Sequence, residues 1–141
     1  MSTSATARRF FDEIWSQGDL DLVDELFARE YLGHPSGPEE TLRGPEGVRT
    51  YIGRLRDGIP DLIMTIEDQV ADQDKVATRW IAHGTQAGEL MGIEATQRTA
   101  SVTGITIQRF GTDGRIVEGW TNWDTFGLLQ QLGVVPQPAA P

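Results

Sequence analysis

Apolar residues recur every three to four positions in the first 60 residues of this chain and every second position after that, so helices are predicted to precede strands. In "ATARRFFDEIWSQ", residues 5–17, Phe10, Phe11, Ile14 and Trp15 fall on one side of a helix. Gly18 ends it, and Asp19 is placed to cap a second helix over "DLDLVDELFA", whose stripe is Leu22, Val23, Leu26 and Phe27. The short link makes the two a hairpin. A strand is predicted at 31–34, followed by a Gly/Pro-rich loop. Pro45 suits a first helical turn and opens a third helix through about residue 56, with Val48, Tyr51, Ile52 and Leu55 on its buried face. "GIP" at 58–60 stops it.

From Asp61 the alternation is that of half-buried strands. Leu62, Met64 and Ile66 form one such set, "ADQD" at 71–74 turns the chain, and Val76, Thr78, Trp80, Ala82 and Gly84 form the next. "VTGITIQRF" and "RIVEGWTNWD" flank "GTDG" at 111–114, a hairpin signal. A two-residue turn at Thr112 and Asp113 would set Ile107 opposite Glu118 and Arg109 opposite Ile116, with Arg109 diagonal to Glu118. A short amphipathic helix follows at 125–132. Helices first and a meandering sheet afterwards argue for α+β. The expected form is a cone-shaped, curved antiparallel sheet, with three N-terminal helices enclosing a pocket and a short C-terminal helix. Residues 1–135 make one domain and 136–141, "PQPAAP", a Pro/Ala-rich tail.

Composition narrows the partners. Twelve Lys and Arg face 21 Asp and Glu, a net charge of -9, which repels nucleic acid and anionic lipid alike. The chain has no cysteine, so neither disulfides nor thiolate chemistry enter. Its first residues lack the apolar run of a signal peptide and no stretch suits a membrane span, so a cytoplasmic protein is expected. The two histidines lack close carboxylate spacing, which argues against a metal site.

Candidate chemistry concentrates at 116–124. Ile116, Glu118, Trp120, Asn122 and Asp124 share one parity, and an unbroken strand sends them to one face. If that face lines the pocket, Asp124 sits at its working end; the competing reading is an N-cap, since Asp124 directly precedes "TFGLLQQL". Glu118 has its own alternative, a structural pair with Arg109. Trp15, Met64, Trp80 and Trp120 offer flat or soft walls, and His34, at a strand end, would meet the pocket mouth. Asn122, with Gln108 as a weaker second, supplies amide donors. His83 has the opposite parity from Trp80 and Ala82, and no role is expected for it.

The segments "PDLIMTIEDQVADQDKVATRWIAHGTQAGELMGIEATQR" and "IQRFGTDGRIVEGWTNWDTFGLLQQLG" resemble the SnoaL-like polyketide cyclase family, of the nuclear-transport-factor-like superfamily, in motif order and spacing over about residues 8–134. The resemblance implies a cofactor-independent, metal-free intramolecular aldol condensation that closes a ring of an aromatic polyketide ester. It implies Asp124 as acid/base and a small hydrophobic polycyclic ligand, and the chain is expected to form a homodimer through its exposed sheet face. Gln86 stands where the family has a histidine, "EATQR" replaces a P-T-G turn, and "ITIQRF" offers Gln108 where the cyclases carry a second histidine. Those departures keep two alternatives open: a hydroxylase, isomerase or hydrolase on a similar polycyclic substrate, or a non-catalytic binding protein.

Overall fold

The computed structural model describes residues 2–37 and 39–136, so the expected tail lies, from 137 on, outside the described residues. Helix α1 (Thr3–Arg9) starts at Ser2, whose Oγ accepts from the Ala5 amide at 3.1 Å. It continues into a π-helical stretch, Phe10–Ser16. The i→i+5 spacing of that wider turn gathers Phe10, Phe11, Ile14 and Trp15 on one face, and all four are buried. A 3₁₀ turn (Leu20–Leu22) leads to α2 (Val23–Leu26). That helix is shorter than its stripe suggests, because Phe27 already enters strand β1 (Phe27–His34). The chain then forms β2 (Leu42–Arg43), α3 (Gly44–Gly58), β3 (Ile63–Asp72), β4 (Lys75–Thr85), β5 (Thr99–Phe110), β6 (Ile116–Trp123) and α4 (Thr125–Gln131). Arg56 on α3 ties the helices to the start of β3: its guanidinium donates to the carbonyls of Trp15 at 2.5 Å and Leu62 at 3.2 Å. Among the described residues no helix is long and apolar enough to cross a membrane.

The six strands form one open sheet in the order β2-β1-β6-β5-β4-β3. Strands β3 to β6 are antiparallel neighbours, as the turn signals imply. Strand β1 instead runs parallel to β6, with Gly33 opposite Gly119 and His34 opposite Trp120. The fold is therefore the expected α+β cone with a mixed sheet. One sheet face packs on the helices: along β5 every even residue from Ala100 to Phe110 is buried and most odd ones are exposed.

Strand β6 departs from strict alternation, and this overturns the expectation that Ile116, Glu118, Trp120, Asn122 and Asp124 share a pocket face. Phe110 pairs with Ile116 while Arg109 pairs with Glu118, so Val117 is an extra residue, a β-bulge. The turn at 111–114 is closed by the Gly111 amide donating to the Arg115 carbonyl at 2.8 Å. Arg109 consequently lies directly opposite Glu118 rather than diagonal to it. Ile116 points into the core, and beyond the bulge the inward positions are Gly119, Thr121 and Trp123. One inserted residue inverts every later side chain.

Candidate functional site

Between the helices and the inner face of the sheet lies a cavity of about 110 Å³. The first helical segments contribute Phe10 and Trp15, and α3 contributes Val48, Tyr51, Ile52 and Leu55. The strands supply Met64, Trp80, Ala82 and Val102 from β3 to β5, and α4 closes one side with Leu128. The cavity is partly open and its lining is mostly apolar, the form that small-molecule sites take.

The walls are held in place. Trp80 lies across Gly104, its partner on β5, and a side chain at 104 would collide with the indole. The Trp80 indole N–H donates to Thr106 Oγ1 at 3.0 Å, and Thr106 and Thr121 share a hydrogen bond of 3.0 Å. Trp15 meets Tyr51 edge-on at 6.4 Å. Burial pushes the Tyr51 phenol up, against a hydrogen bond with Trp123 that acts in the other direction.

On the sheet wall of the cavity the polar side chains include Tyr31, Gln108, Thr106 and Thr121. Tyr31 is fixed edge-to-face against Phe27 at 4.7 Å. Its hydroxyl rests over two glycines: a Cβ at Gly33 would stand 2.8 Å from that oxygen, and one at Gly119 would stand 2.6 Å from it. Burial first, and then the nearby Glu118 charge, push the phenol pKa far up, so Tyr31 stays a neutral O–H.

The candidate residues divide by face. Trp15, Met64, Trp80 and Gln108 line the cavity. His34 lies at its rim, but the ring stacks on Trp120 (centroids 5.7 Å apart, 24° between planes), which is 37% exposed on the outer sheet face. There His34 Nε2 meets Glu118 Oε2 at 2.9 Å, and Glu118 Oε1 accepts from Arg109 at 3.1 Å. These two partners, His34 ahead of Arg109, hold the Glu118 carboxyl below the usual range. The Glu118–Arg109 pair is the arrangement that a structural role implies.

Asn122 and Asp124 are exposed, and neither lines the cavity. Asp124 Oδ1 accepts from the Gly127 amide at 2.9 Å, the N-cap of α4, and an exposed carboxylate lacks the burial that a pocket base calls for. No carboxylate of the described residues lines the cavity, and no three His, Asp or Glu side chains are grouped to hold a metal ion. His83 is exposed and bonded to Ser101 Oγ at 2.7 Å. Gln86, in the place of the family's histidine, is a staple: its amide bonds the carbonyls of Ile93 and Glu94 and accepts from Thr96 N and Oγ1, folding residues 86–98 back toward Leu90. Sequence reasoning passed over Tyr31, Thr106, Thr121 and Trp123. The available signal for Tyr31 was Gly33 two positions on, a gap on the same strand face.

Over residues 5–132 the chain matches the family model described as SnoaL-like polyketide cyclase. No curated protein matches it. Among solved structures it is similar to IdmH of Streptomyces antibioticus, a candidate polyketide cyclase, at 34% identity, 94% of this chain and 99% of that one, with a TM-score of 0.80. It is similar to TsrD of Streptomyces laurentii at 32% identity, 94% and 95% coverage and a TM-score of 0.82. AclR of Streptomyces galilaeus, a candidate hydroxylase, is 23% identical, with 97% and 84% coverage and a TM-score of 0.84, a likeness of fold alone. The match across nearly the whole chain, with the likeness of fold and sequence to these solved structures, leads to one conclusion: the chain belongs to the SnoaL-like polyketide cyclase family.

Proposed function

We propose that this chain closes a ring of an aromatic polyketide ester inside the cavity, by a cofactor-independent intramolecular aldol condensation. The observation that carries the reading is a largely apolar, tryptophan-lined cavity with the Tyr31 hydroxyl lying over Gly33 and Gly119 on its sheet wall. In such a closure the enol of a β-ketoester adds through carbon to an aldehyde. A carbon–carbon bond forms, the carbonyl π bond breaks, and the enol proton ends on the new hydroxyl oxygen, so the mass is unchanged. Tyr31 is suited to relay that proton, taking it from the enol oxygen while giving its own to the aldehyde oxygen. A phenol is both a donor and an acceptor, which this exchange requires. Holding the two carbons about 3–3.5 Å apart supplies the remaining acceleration.

Asp124 as acid/base, the role that the resemblance implies, requires its carboxylate to leave the α4 cap and turn inward. A second reading, a non-catalytic binding protein, draws on the lack of a carboxylate along the cavity. Product formation by LC–MS from a tricyclic polyketide β-ketoester separates the three. The relay predicts a ring-closed product of unchanged mass from wild type and Asp124→Asn, and its loss from Tyr31→Phe. Loss in Asp124→Asn alone would return the role to the aspartate. Binding without product from any variant would support the binding protein. The reading extends to a homodimer through the outer sheet face, where Ile63, Val70, Ile105, Ile107 and Trp120 are exposed. A monomer mass in sedimentation equilibrium at micromolar concentration would remove that part.

A further inference from the structure

The cavity measures about 110 Å³. An apolar cavity of about 150 Å³ takes a single benzene ring, and sites for drug-sized ligands start near about 300 Å³. A polycycle therefore enters only if part of the wall moves, and the packing shows which part is least tied down. Residues 86–98 join β4 to β5 and are fastened among themselves. The Gln86 side chain bonds Ile93, Glu94 and Thr96, and its backbone bonds Gln97 and Arg98. Leu90 and Ile93 exchange backbone bonds of 3.0 and 2.8 Å around Met91 and Gly92, a two-residue turn with φ of 51° and 76°. To the rest of the protein, among the described residues, 87–95 make one hydrogen bond, from the Gly88 amide to the Gly58 carbonyl at the end of α3 (3.1 Å). Two glycines let these backbones touch: a Cβ at Gly88 would collide with the Asp57 carbonyl, and one at Gly58 would stand 2.8 Å from that of Glu89. Leu90 is 3% exposed and lines the cavity, while Ala87, Glu89, Met91 and Gly92 around it are exposed.

We infer that residues 87–95 form a flap over the cavity that pivots at Gly88, with Leu90 as its latch. The inference rests on the proposed cavity ligand and adds how that ligand is admitted: Leu90 leaves the wall, and the space widens toward α3. The Gln86 staple and the turn at Met91–Gly92 keep the flap in one piece as it swings, so opening breaks one hydrogen bond and exposes one leucine rather than unfolding a loop. A closed state held by so few contacts coexists with an open one populated at about 0.1–10%, and the open fraction scales the rate at which ligand enters.

The test mixes the full chain with anthraquinone, an unreactive flat tricyclic probe, in a stopped-flow instrument and follows quenching of tryptophan fluorescence. Trp15, Trp80 and Trp123 all line the cavity and report occupancy. Leu90→Ala removes the latch and is expected to raise the association rate constant about tenfold or more. A leucine that only lines the wall would change dissociation and leave association as it was. The opposite perturbation is the pair Asp57→Cys and Glu89→Cys. Both side chains are exposed, they flank the Gly58–Gly88 bond, and the chain has no other cysteine, so thiol titration reports the closed disulfide. The oxidised pair is expected to bind about tenfold or more slowly than wild type, and reduction is expected to restore the rate. An association rate unchanged by Leu90→Ala, or equal in the oxidised and reduced pair, overturns the flap and leaves the cavity reading standing. No quenching of any form, Leu90→Ala included, overturns the cavity reading and the flap with it.

Discussion

Ala82 sits in the middle of β4, is 7% exposed, and lines the cavity between Met64 and Val102, its partners on the neighbouring strands. Replacing it by leucine puts three more carbons into the open space. The cavity measures about 110 Å³, and at about 24 cal/mol per Å³ its filling is worth up to roughly 2.6 kcal/mol. Three methylene-sized groups taken out of water, at about 0.8 kcal/mol each, give roughly 2.4 kcal/mol, so the two routes agree. Fixing the leucine rotamer costs about 0.5–1 kcal/mol, which leaves a net gain near 1.5 kcal/mol. For 141 residues the unfolding entropy is about 0.3 kcal/mol per kelvin, so Ala82→Leu is expected to raise Tm by about 5 °C. The same variant should lose ring closure and anthraquinone binding, because the room is occupied. Differential scanning calorimetry and fluorescence titration on one preparation read both effects. A lower Tm would refute the claim that the space at Ala82 is open. A higher Tm with ligand binding intact would show that the ligand lies elsewhere.

Two further outcomes follow from the polar clusters. Because His34 and Arg109 lower the folded-state pKa of Glu118, its contribution to stability is present above the ordinary carboxylate value of 4.5 and is lost as pH falls through the lowered value. Urea midpoints measured from pH 7 down to pH 3 should therefore fall less steeply in Glu118→Gln than in wild type, and parallel curves would refute the coupling. Gln86→Ala removes four hydrogen bonds within residues 86–98 and leaves the Thr96 amide and two carbonyls without their partner. A loss of about 2–4 kcal/mol in chemical denaturation is expected, and a change below about 0.5 kcal/mol would show that water replaces the staple.

The parts of this fold that alternate without interruption were legible in the sequence. Strand β5 reads two-periodic from Thr99 to Phe110, and its inner residues, Val102, Thr106 and Gln108, all line the cavity. What escaped was the single residue Val117. A bulge leaves no compositional mark when the inserted residue is itself a good strand former, yet it exchanged the two faces of β6. Glu118, Trp120 and Asn122 then joined His34 and Arg109 outside, while Thr121 and Trp123 came in. The parallel pairing of β1 with β6 was equally hidden: it is set by how α3 carries the chain from β2 to the far edge of the sheet, not by any local pattern.

The inner face nevertheless carries a record of the cavity in a residue type that strands avoid. Glycine within a strand weakens it, by roughly 0.5–1 kcal/mol relative to alanine, since it orders the most backbone freedom and packs no side chain. Three strand glycines of the inner face, Gly33, Gly104 and Gly119, lie where an aromatic ring leans over the backbone: Tyr31, from the same strand for the first and the neighbouring one for the third, and Trp80 over the second. In each case a Cβ would meet that ring. Seated over glycine, both rings lie close to the sheet backbone and line the cavity, and no side chain at 33 or 119 crowds the Tyr31 hydroxyl. The same three positions that weaken the sheet thus hold the cavity open, so stability is set against room for a ligand in this fold.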